Sequence, residues 1–411
     1  MTERVVIVGG GIAGVRTADA LRTGGFDGDI TLVDGGVFPY DRPPLSKEFL
    51  AGTKDIKQIA LQPSQWYDDH LVRLLNQTVV AALRPREGKV ELADGTLLPA
   101  DRVVLATGGN AARPPIPGGG SERVHVLRTA EDADRLRPQL VPGARLLIVG
   151  AGLIGAEVAS TAVRLGCEVG LVDPLAAPLM APLGSELATW LHDLHTWHGI
   201  TTVQAAVESF TDRGDHIEAR LAGRRGSRAY DAVVLGVGMV PHTGLAERAA
   251  IEVDRGILVD AGQVTSNPAV LAVGDPSRMR GAPRAEHWEA AQHDGARAAA
   301  TILGAEAPAP TAPWFWTARH GRHVEAVGHM ESAAETVVRG TFDDPSFAVF
   351  GLRDGYVVAA AAVDDSAAVR AARRMIDRRV PADAGRLSDP AVNLRALLRT
   401  APQGRRDETT P

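Results

Sequence analysis

Residues 4–34 read RVVIVGGGIAGVRTADALRTGGFDGDITLVD, and this stretch decides the fold of the first part of the chain. An apolar run, a glycine-rich turn, a run with the pattern of a helix and a second apolar run follow one another, and the last ends at Asp34. Gly9, Gly11 and Gly14 form the pattern G-x-G-x-x-G. In a strand–turn–helix–strand unit of this kind a pyrophosphate can approach bare backbone N–H groups, and Asp34 can hold ribose hydroxyls. A lone glycine pattern can be turn chemistry alone, so the strand, the helix and the acid are what favour a dinucleotide site.

The same order returns near the middle of the chain, where residues 146–173 read LLIVGAGLIGAEVASTAVRLGCEVGLVD. Gly150, Gly152 and Gly155 repeat the glycine pattern, and Asp173 ends the second apolar run. Two such units are most simply explained by two dinucleotides that must meet so that hydride can pass between them, and FAD and a nicotinamide are the obvious pair. Asp173 would repel a 2′-phosphate, and PLAAPLM after it offers no Arg or Lys, so the sequence predicts NADH rather than NADPH. The predicted contacts of the two loops also include the residues inside the patterns, Ala13 and Ile154.

The repeated unit predicts an α/β protein with two Rossmann-like dinucleotide-binding domains, one for FAD and one for NAD, and a small C-terminal α+β domain. The length of 411 residues suits two or three domains. The run FAVFGLRDGYVVAAAAV predicts a hairpin across Asp354-Gly355, and a helix is expected from about residue 285. The predicted boundaries are an FAD-binding domain in two parts (1–112 and 239–312), an NAD-binding domain (113–238), a C-terminal interface domain (313–400) and a disordered tail (401–411).

Composition and charge exclude several classes of protein. A net charge of −6 argues against a general binder of nucleic acid or anionic membranes. No uninterrupted apolar run reaches the length of a membrane span, and no signal-like segment precedes the first strand, so the protein is expected to be cytoplasmic. The single cysteine, Cys167, excludes a disulfide framework or a C-x-x-C redox pair and suits a reducing compartment. We interpret it as a small buried hydrophobic residue.

Two further patterns leave alternatives open. Asp275 follows the apolar run AVLAVG, in which Gly274 is the last residue, so its carboxylate could face a ligand or cap a helix. His192, His195 and His198 recur at three-residue spacing, which is compatible with a metal site or with a solvated helix surface. Because no acidic or thiolate partner stands in register, the solvated surface is favoured and no metal is predicted.

Several segments together resemble the FAD-dependent ferredoxin reductases that serve Rieske-type oxygenases and haem monooxygenases, within the broader glutathione-reductase-like fold. The segments are PYDRPPLSK (39–47), VLATGG (104–109), LRT (127–129), EHWEAA (286–291), GAGLIGAEVA in the second unit and PWFW at the start of the last domain, and the resemblance runs from residue 4 to about 398. It implies FAD contacts at Arg42, Lys47, Val80, Ala106, Thr107, Gly108, Arg128, Gly274, Asp275, Trp288 and Trp316. It also places Glu157 beside the nicotinamide, Asp173 on its ribose and Gly238 in the neighbouring wall, with Lys47 and Glu157 as the catalytic pair.

The resemblance implies that hydride passes from NADH to FAD and that single electrons then reach a small, acidic [2Fe-2S] ferredoxin that feeds an oxygenase or haem monooxygenase. An acidic partner calls for cations near Trp316, and Arg297, Arg319 and Arg322 are the candidates. The chain is expected to be a monomer or a homodimer. An NADH oxidase that uses oxygen and a redox-controlled interaction module remain alternatives, whereas a disulfide reductase would need a thiol beside the flavin.

The sequence also departs from the family pattern. The polar Ser-Asp-Gln run that follows PWFW in the family is replaced by TARHG (317–321), and His242 stands where the family usually has Asn. These departures bear on the choice of electron acceptor.

Overall fold

The chain builds its first domain around a five-stranded parallel sheet. The structure, a computed structural model, describes residues 3–398. The strands lie in the order Val270–Ala272, Arg102–Leu105, Arg4–Val8, Asp29–Val33 and Val72–Leu75. Val8 pairs with Val33 and Leu105, so these three strands end at one level, where Gly9, Asp34 and Ala106 follow them. The edge strand comes from residue 270 onward, so this domain is made from two separate parts of the chain.

Two helices pack against each other on this sheet, Ile12–Thr23 and Trp288–Leu303. Gly295 makes the close approach possible, because a Cβ there would lie 2.7 Å from the carbonyl oxygen of Ala13. The expected helix from about residue 285 is therefore confirmed. It brings a distant part of the chain beside the first glycine loop.

The second domain repeats the parallel sheet. Its strands lie in the order Thr201–Gln204, Glu168–Asp173, Arg145–Val149, Ala232–Leu235 and Val124–Val126. Val149 pairs with Val172 and Leu235, which again places the glycine loop and the acid at the carboxyl ends of neighbouring strands. The helices of this domain are Ala130–Leu136, Leu153–Arg164, Met180–Leu183 and Ser185–Trp197.

Smaller elements connect and flank the two sheets. The antiparallel three-stranded sheets are Val80–Arg84, Lys89–Leu92 and Leu97–Pro99, and Val207–Asp212, Ile217–Leu221 and Arg228–Tyr230. The two-stranded pairs are Gly109–Ala111 with Met239–Pro241, and Ile257–Val259 with Ser277–Met279. The remaining short helices of these parts are Ser64–Asp69 and Gly244–Arg248, with 3₁₀ turns at Pro43–Ser46, Pro85–Glu87 and Arg137–Gln139.

The last part of the described chain is a five-stranded antiparallel sheet. Its strands lie in the order Trp314–Arg319, Arg322–Gly328, Tyr356–Val363, Phe347–Arg353 and Glu335–Arg339. The predicted hairpin is confirmed, because Asp354 and Gly355 both have positive φ, as a tight two-residue turn requires. The helices are Ser366–Asp377, Ala384–Ser388 and Leu394–Leu397, with a 3₁₀ turn at Met330–Ser332.

This last sheet is covered on both faces. Val327 and Phe350 pack with Met375 of the helix Ser366–Asp377 on one side. On the other side Phe347 and its neighbours pack with Leu187, Leu191 and Leu194 of the helix Ser185–Trp197, which belongs to the second domain. The C-terminal sheet is therefore built onto the second domain by a continuous apolar core.

The α/β fold class with two dinucleotide-binding folds and a C-terminal α+β part is confirmed. The predicted domain boundaries stay predictions, and the predicted tail at 401–411 lies outside the described residues. Among residues 3–398, every helix is too short or too polar to span a membrane.

Candidate active site

A cleft that is open to solvent lies where the first glycine loop, the second-domain helix Leu153–Arg164 and the C-terminal strand Trp314–Arg319 meet. The predicted site residues that line it are Gly11, Ala13, Arg42, Lys47, Ala106, Gly108, Arg128, Ile154, Glu157, Asp275, Trp288 and Trp316.

The first glycine loop is shaped as a cradle for a phosphate group. A Cβ at Gly9 would overlap the carbonyl oxygen of Ala106, and one at Gly14 would overlap that of Gly9, so both positions require glycine for close backbone packing. Gly11 starts the helix Ile12–Thr23 without a side-chain cap, so the N–H groups of its first turn remain available. Asp34 accepts a hydrogen bond from Gly10 N at 3.0 Å, which fixes the acid beside the loop. The loop therefore fits the pyrophosphate of a dinucleotide.

The second loop repeats this geometry. A Cβ at Gly150 would overlap the carbonyl oxygen of Gly236, and one at Gly155 that of Gly150, whereas Gly152 faces open space. Asp173 accepts hydrogen bonds from Ala151 N and Leu175 N, both at 2.8 Å. Gly238, with positive φ, also faces open space. The loop, the acid and the neighbouring wall are thus in place for a second dinucleotide.

Two arginines make the floor of the first site electropositive. Nη1 of Arg42 would lie 3.3 Å from a Cβ at Gly11, so the guanidinium sits over the glycine loop. Burial lowers the pKa of Arg42, the charge of Arg128 lowers it further, and Arg42 Nε has no hydrogen-bond partner among the described residues. A buried guanidinium with an unsatisfied N–H calls for an anionic ligand. The arginine therefore fits the anionic FAD, and its predicted place near the isoalloxazine ring stays a prediction.

Asp275 forms an ion pair with Arg128, whose Nε also donates to the carbonyl oxygen of Gly109 at 3.0 Å. The strand Ser277–Met279 follows, so the alternative of a helix cap at Asp275 is wrong. Asp275 faces the cleft, as the ligand interpretation predicts.

Glu157 is the most constrained carboxylate of the cleft. It is 4% exposed and comes from the helix Leu153–Arg164. Its Oε2 accepts from Lys47 Nζ at 2.7 Å and from Ser46 Oγ at 2.5 Å, and its Oε1 accepts from Thr317 Oγ1 at 2.9 Å and from Ala318 N at 3.1 Å. Donors from the first domain and from the C-terminal sheet therefore converge on one side chain of the second domain.

Three tryptophans form the wall toward the C-terminal sheet. Trp288 meets Trp316 edge to face at 5.5 Å between ring centroids, and Trp316 stacks on Trp314 at 5.1 Å. Trp288 Nε1 donates to Asp41 at 2.8 Å. Trp316 also lines a surface groove with Trp314 and Arg370, so it lies between the cleft and the exterior.

The remaining predicted residues lie behind or beside the cleft. Thr107 is linked to His242, because Thr107 Oγ1 donates to the carbonyl oxygen of His242 at 2.8 Å. Gly274 N donates to Asp294 at 3.2 Å, and Val80 is buried in its antiparallel strand. Ser46, Thr317 and Asp294 are polar contacts that the sequence reasoning missed. Ser46 lies inside the quoted PYDRPPLSK segment and Thr317 is the first residue of the quoted TARHG run, whereas nothing local marked Asp294.

Two predictions about charged side chains are wrong. His195 is wholly buried rather than on a solvated helix surface, because the C-terminal sheet covers its helix. Arg319, proposed for partner docking, is 3% exposed and cannot reach a partner.

Among residues 3–398 no group of three His, Cys, Asp or Glu is placed to hold a metal ion. Cys167 is buried, as predicted, and burial raises the pKa of its thiol.

Comparisons with known proteins agree with this geometry. Residues 3–295 match the pyridine nucleotide-disulphide oxidoreductase family, and residues 314–398 match the reductase C-terminal family. The ferredoxin–NAD(+) reductase component of the anthranilate 1,2-dioxygenase system of Burkholderia cepacia is 37% identical over 96% of this chain and 98% of its own length. The corresponding subunit of the benzene 1,2-dioxygenase system of Pseudomonas putida is 35% identical over 97% of this chain and 98% of its own.

A solved structure of a covalent putidaredoxin reductase–putidaredoxin complex superposes with a TM-score of 0.90 at 32% identity, covering 97% of this chain and 99% of that one. The predicted resemblance is confirmed, as are the oxidoreductase class and the cofactors FAD and NAD(H). With two glycine cradles, their acids and a C-terminal sheet closing the cleft between them, the chain belongs to the pyridine nucleotide-disulphide oxidoreductase family.

Proposed function

We propose that the protein is an NADH-dependent ferredoxin reductase, which transfers hydride from NADH to FAD and passes the electrons singly to a small [2Fe-2S] ferredoxin that feeds an oxygenase or haem monooxygenase. The observation that carries this function is that the first glycine loop and the helix Leu153–Arg164, which begins at the second glycine loop, line one cleft, with the Lys47–Glu157 pair between them. The relatives named above are reductase components of dioxygenase systems, and one solved relative is in complex with putidaredoxin.

Each cradle has its own task in this proposal. When bound, FAD supplies the ability to accept two electrons as hydride and to release them one at a time. Gly11 and the start of the helix Ile12–Thr23 hold the pyrophosphate, and Arg42 supplies a buried cation above them. Gly152 and Asp173 hold the second dinucleotide, with the carboxylate on a ribose hydroxyl, so NADH is preferred over NADPH.

The Lys47–Glu157 pair sits where the two ligands meet. The Lys47 ammonium is a cation at the edge of the cleft, and a cation there stabilises negative charge that develops on a reduced cofactor. Glu157 holds Lys47 at 2.7 Å and is itself held from the opposite side by the C-terminal strand. These residues position and stabilise charge, and no nucleophile is needed.

An acidic partner would dock at the groove beside Trp316. Arg373 in this groove forms an ion pair with Glu289, and His323 lies beside Glu325, whereas Arg370 is exposed. The groove is lined by Glu289, Trp314, Trp316, His323, Glu325, Val369, Arg370 and Arg373. Arg297 and Arg322, the other predicted docking cations, are partly exposed but lie within ion-pair distance of Asp294 and Asp364. Arg370 is therefore the better candidate for the partner contact. The cytoplasmic location and the oligomeric state stay predictions.

The proposal is tested by mixing the yellow protein with NADH or NADPH in a stopped-flow instrument without oxygen, and then reoxidising it with candidate [2Fe-2S] ferredoxins. We expect rapid bleaching of the flavin by NADH, slower bleaching by NADPH and stepwise recovery with the cognate ferredoxin. A colourless protein that cannot take up FAD would contradict the proposal. Fast NADH consumption in air that no ferredoxin accelerates would identify an oxidase instead.

A further inference from the structure

Arg319 is a buried cation that has no role in the proposed function. It ends the strand Trp314–Arg319 and is 3% exposed. Its contacts to neutral partners are long: Nη2 lies 3.4 Å from Thr317 Oγ1, Nη1 lies 3.5 Å from His195 Nε2, and Nε has no partner among the described residues. Taking a guanidinium out of water is energetically costly, and hydrogen bonds of this length offset little of that cost. The charge therefore needs a carboxylate.

The neighbouring histidines cannot supply negative charge and are themselves kept neutral. The pKa of His195 is lowered to about 2 and that of His320 to about 4. Burial is the main cause of both shifts, and the charges of Arg319 and of neighbouring histidines add to it. His195 Nδ1 lies 2.9 Å from His320 Nε2. If Arg319 donates to His195 Nε2, the proton of His195 is on Nδ1 and is donated to His320, which assigns both tautomers from the network.

Glu157 is the carboxylate linked to Arg319, and the link runs through the Thr317 hydroxyl rather than through a direct ion pair. Burial lowers the pKa of Arg319 to about 10, and the attraction of Glu157 opposes that shift, so the guanidinium stays charged at neutral pH. Thr317 connects the two, because it donates to Glu157 Oε1 at 2.9 Å and its oxygen faces Arg319 Nη2. Lys47 meets the other oxygen of the same carboxylate. Lys47 therefore contacts the carboxylate directly on one side, and Arg319 is linked to it through Thr317 on the other.

We infer that Arg319 is a positioning residue for the reaction and the second counter-cation of Glu157. It acts on the carboxylate through Thr317, from the side of the C-terminal sheet. Part of the charge of Lys47 then remains available to the bound FAD. The inference rests on the proposed function. Lys47, Glu157 and Arg319 together carry a formal charge of +1. A net positive charge beside the cleft favours the reduced cofactor over the oxidised one.

The test compares Arg319→Gln, Arg319→Lys and a control, Arg353→Gln, which removes an exposed arginine at the hairpin of the same sheet. The midpoint potential of the bound flavin is measured in each protein by equilibrium with an indicator dye. We expect Arg319→Gln to shift the reduction equilibrium against the reduced form by roughly tenfold, which is about 30 mV for a two-electron couple. Arg319→Lys should retain most of the potential, and the control should retain all of it.

A second measurement separates charge from packing. The Glu157→Gln change leaves Arg319 buried without a counter-charge, so it should lower the unfolding temperature of the FAD-loaded wild type more than that of Arg319→Gln. Equal losses in both backgrounds, or a potential that is the same in Arg319→Gln and wild type, would overturn the inference. A fall in Arg319→Lys as large as in Arg319→Gln would overturn it too, because the effect would then follow shape rather than charge.

If Arg319→Gln does not retain FAD, Arg319→Met replaces it in the comparison, since it removes the charge and keeps an unbranched side chain in the buried position. A lower potential in Arg319→Met than in Arg319→Lys supports the inference, and equal potentials overturn it. The proposed function is judged separately on the wild type: if NADH does not bleach its flavin, that function fails. If NADH bleaches it and the variants behave as wild type, only the inference fails.

Discussion

The two glycine cradles share a backbone design and differ in what covers them. In the first, Arg42 lies over Gly11, and a Cβ at Gly10 would meet Asp34 and Pro39 within about 3 Å. In the second cradle, Gly152 and Gly238 face open space. Two apolar residues around this cradle are exposed: Ile154 is 42% exposed and Leu175 is 60% exposed. An enclosed cradle suits a cofactor that stays bound, and an open one suits a ligand that must enter and leave at each turnover. The same local sequence thus serves two kinetic roles.

The largest expected effect comes from matched substitutions in the two loops. Gly14→Ala would push a Cβ into the carbonyl oxygen of Gly9, and Gly155→Ala would do the same at Gly150. Each should distort its own loop at a cost on the order of 1–3 kcal/mol. We expect Gly14→Ala to be purified without FAD, and Gly155→Ala to be yellow but not bleached by NADH. Absorbance at the flavin band checks both, and loss of FAD from Gly155→Ala would break the comparison.

The enclosed site should also show a pH dependence of stability. Burial raises the pKa of Asp294 to about 6, compared with 3.8 for an ordinary aspartate, although hydrogen bonds from Gly274 N and Ser277 Oγ oppose this shift. A carboxyl group that holds its proton more tightly when folded stabilises the fold below its unfolded pKa, and that contribution is lost as the pH rises through about 6. A pKa difference of one between the folded and unfolded states corresponds to about 1.36 kcal/mol, so the stabilisation that is lost is about 3 kcal/mol.

Asp294→Asn should therefore remove about 3 kcal/mol of the decline in unfolding free energy between pH 4 and pH 8. Urea titrations at both pH values check this, with wild type run alongside so that the other titrating groups cancel. Parallel curves for the two proteins would show that Asp294 does not hold its proton in the fold.

Glu157→Gln tests the junction between the two sites. The substitution keeps the shape of the side chain and removes the charge that Lys47 contacts directly and to which Arg319 is linked through Thr317. We expect the rate of flavin bleaching by NADH to fall roughly 100-fold, the size of effect that loss of one electrostatic contact has in other active sites. FAD content should stay close to that of wild type, because the first cradle is untouched. A rate within a few-fold of wild type would remove Glu157 from the catalytic pair.

Asp173→Ala tests the open site by itself. It removes a carboxylate held by two backbone N–H groups beside the second loop. We expect the affinity for NADH to fall by roughly tenfold, since a hydrogen bond to a charged group contributes about 1.5–3 kcal/mol. The affinity for NADPH should fall less or rise. Titration of the oxidised protein with NAD⁺ and NADP⁺ measures both, and an unchanged preference would contradict the assignment of the ribose to Asp173.

The smallest expected effect is at the partner surface. Arg370→Glu reverses an exposed charge beside Trp316, so the Michaelis constant for an acidic ferredoxin should rise several-fold and depend more strongly on salt. Bleaching by NADH should not change, because the substitution lies outside the cleft. The exposed Arg353→Gln change is the matched control. Equal constants for wild type and Arg370→Glu would move the docking surface elsewhere.

The sequence could predict the parts of the molecule that depend on neighbouring residues. The glycine loops, Asp34 and Asp173 at the ends of their strands, and the Asp354-Gly355 hairpin all follow from periodicity and turn chemistry within about 30 residues. His195 shows where this reasoning failed. Its three-residue spacing from other histidines predicts a surface position, although His195 also continues the four-residue spacing of Leu187 and Leu191, which marks a buried helix face.

The burial and partners of single side chains were decided by the tertiary structure. Glu157 gains Thr317 as a partner from 160 residues away, and Arg319 loses its access to solvent because the C-terminal sheet packs on the helix Ser185–Trp197. No local pattern contains this information, since it depends on which distant elements bring their apolar faces together. By itself the sequence determined two dinucleotide cradles and their order along the chain. Only packing decided which charges meet between them, because the strength of a charge interaction is set by distance and burial in three dimensions.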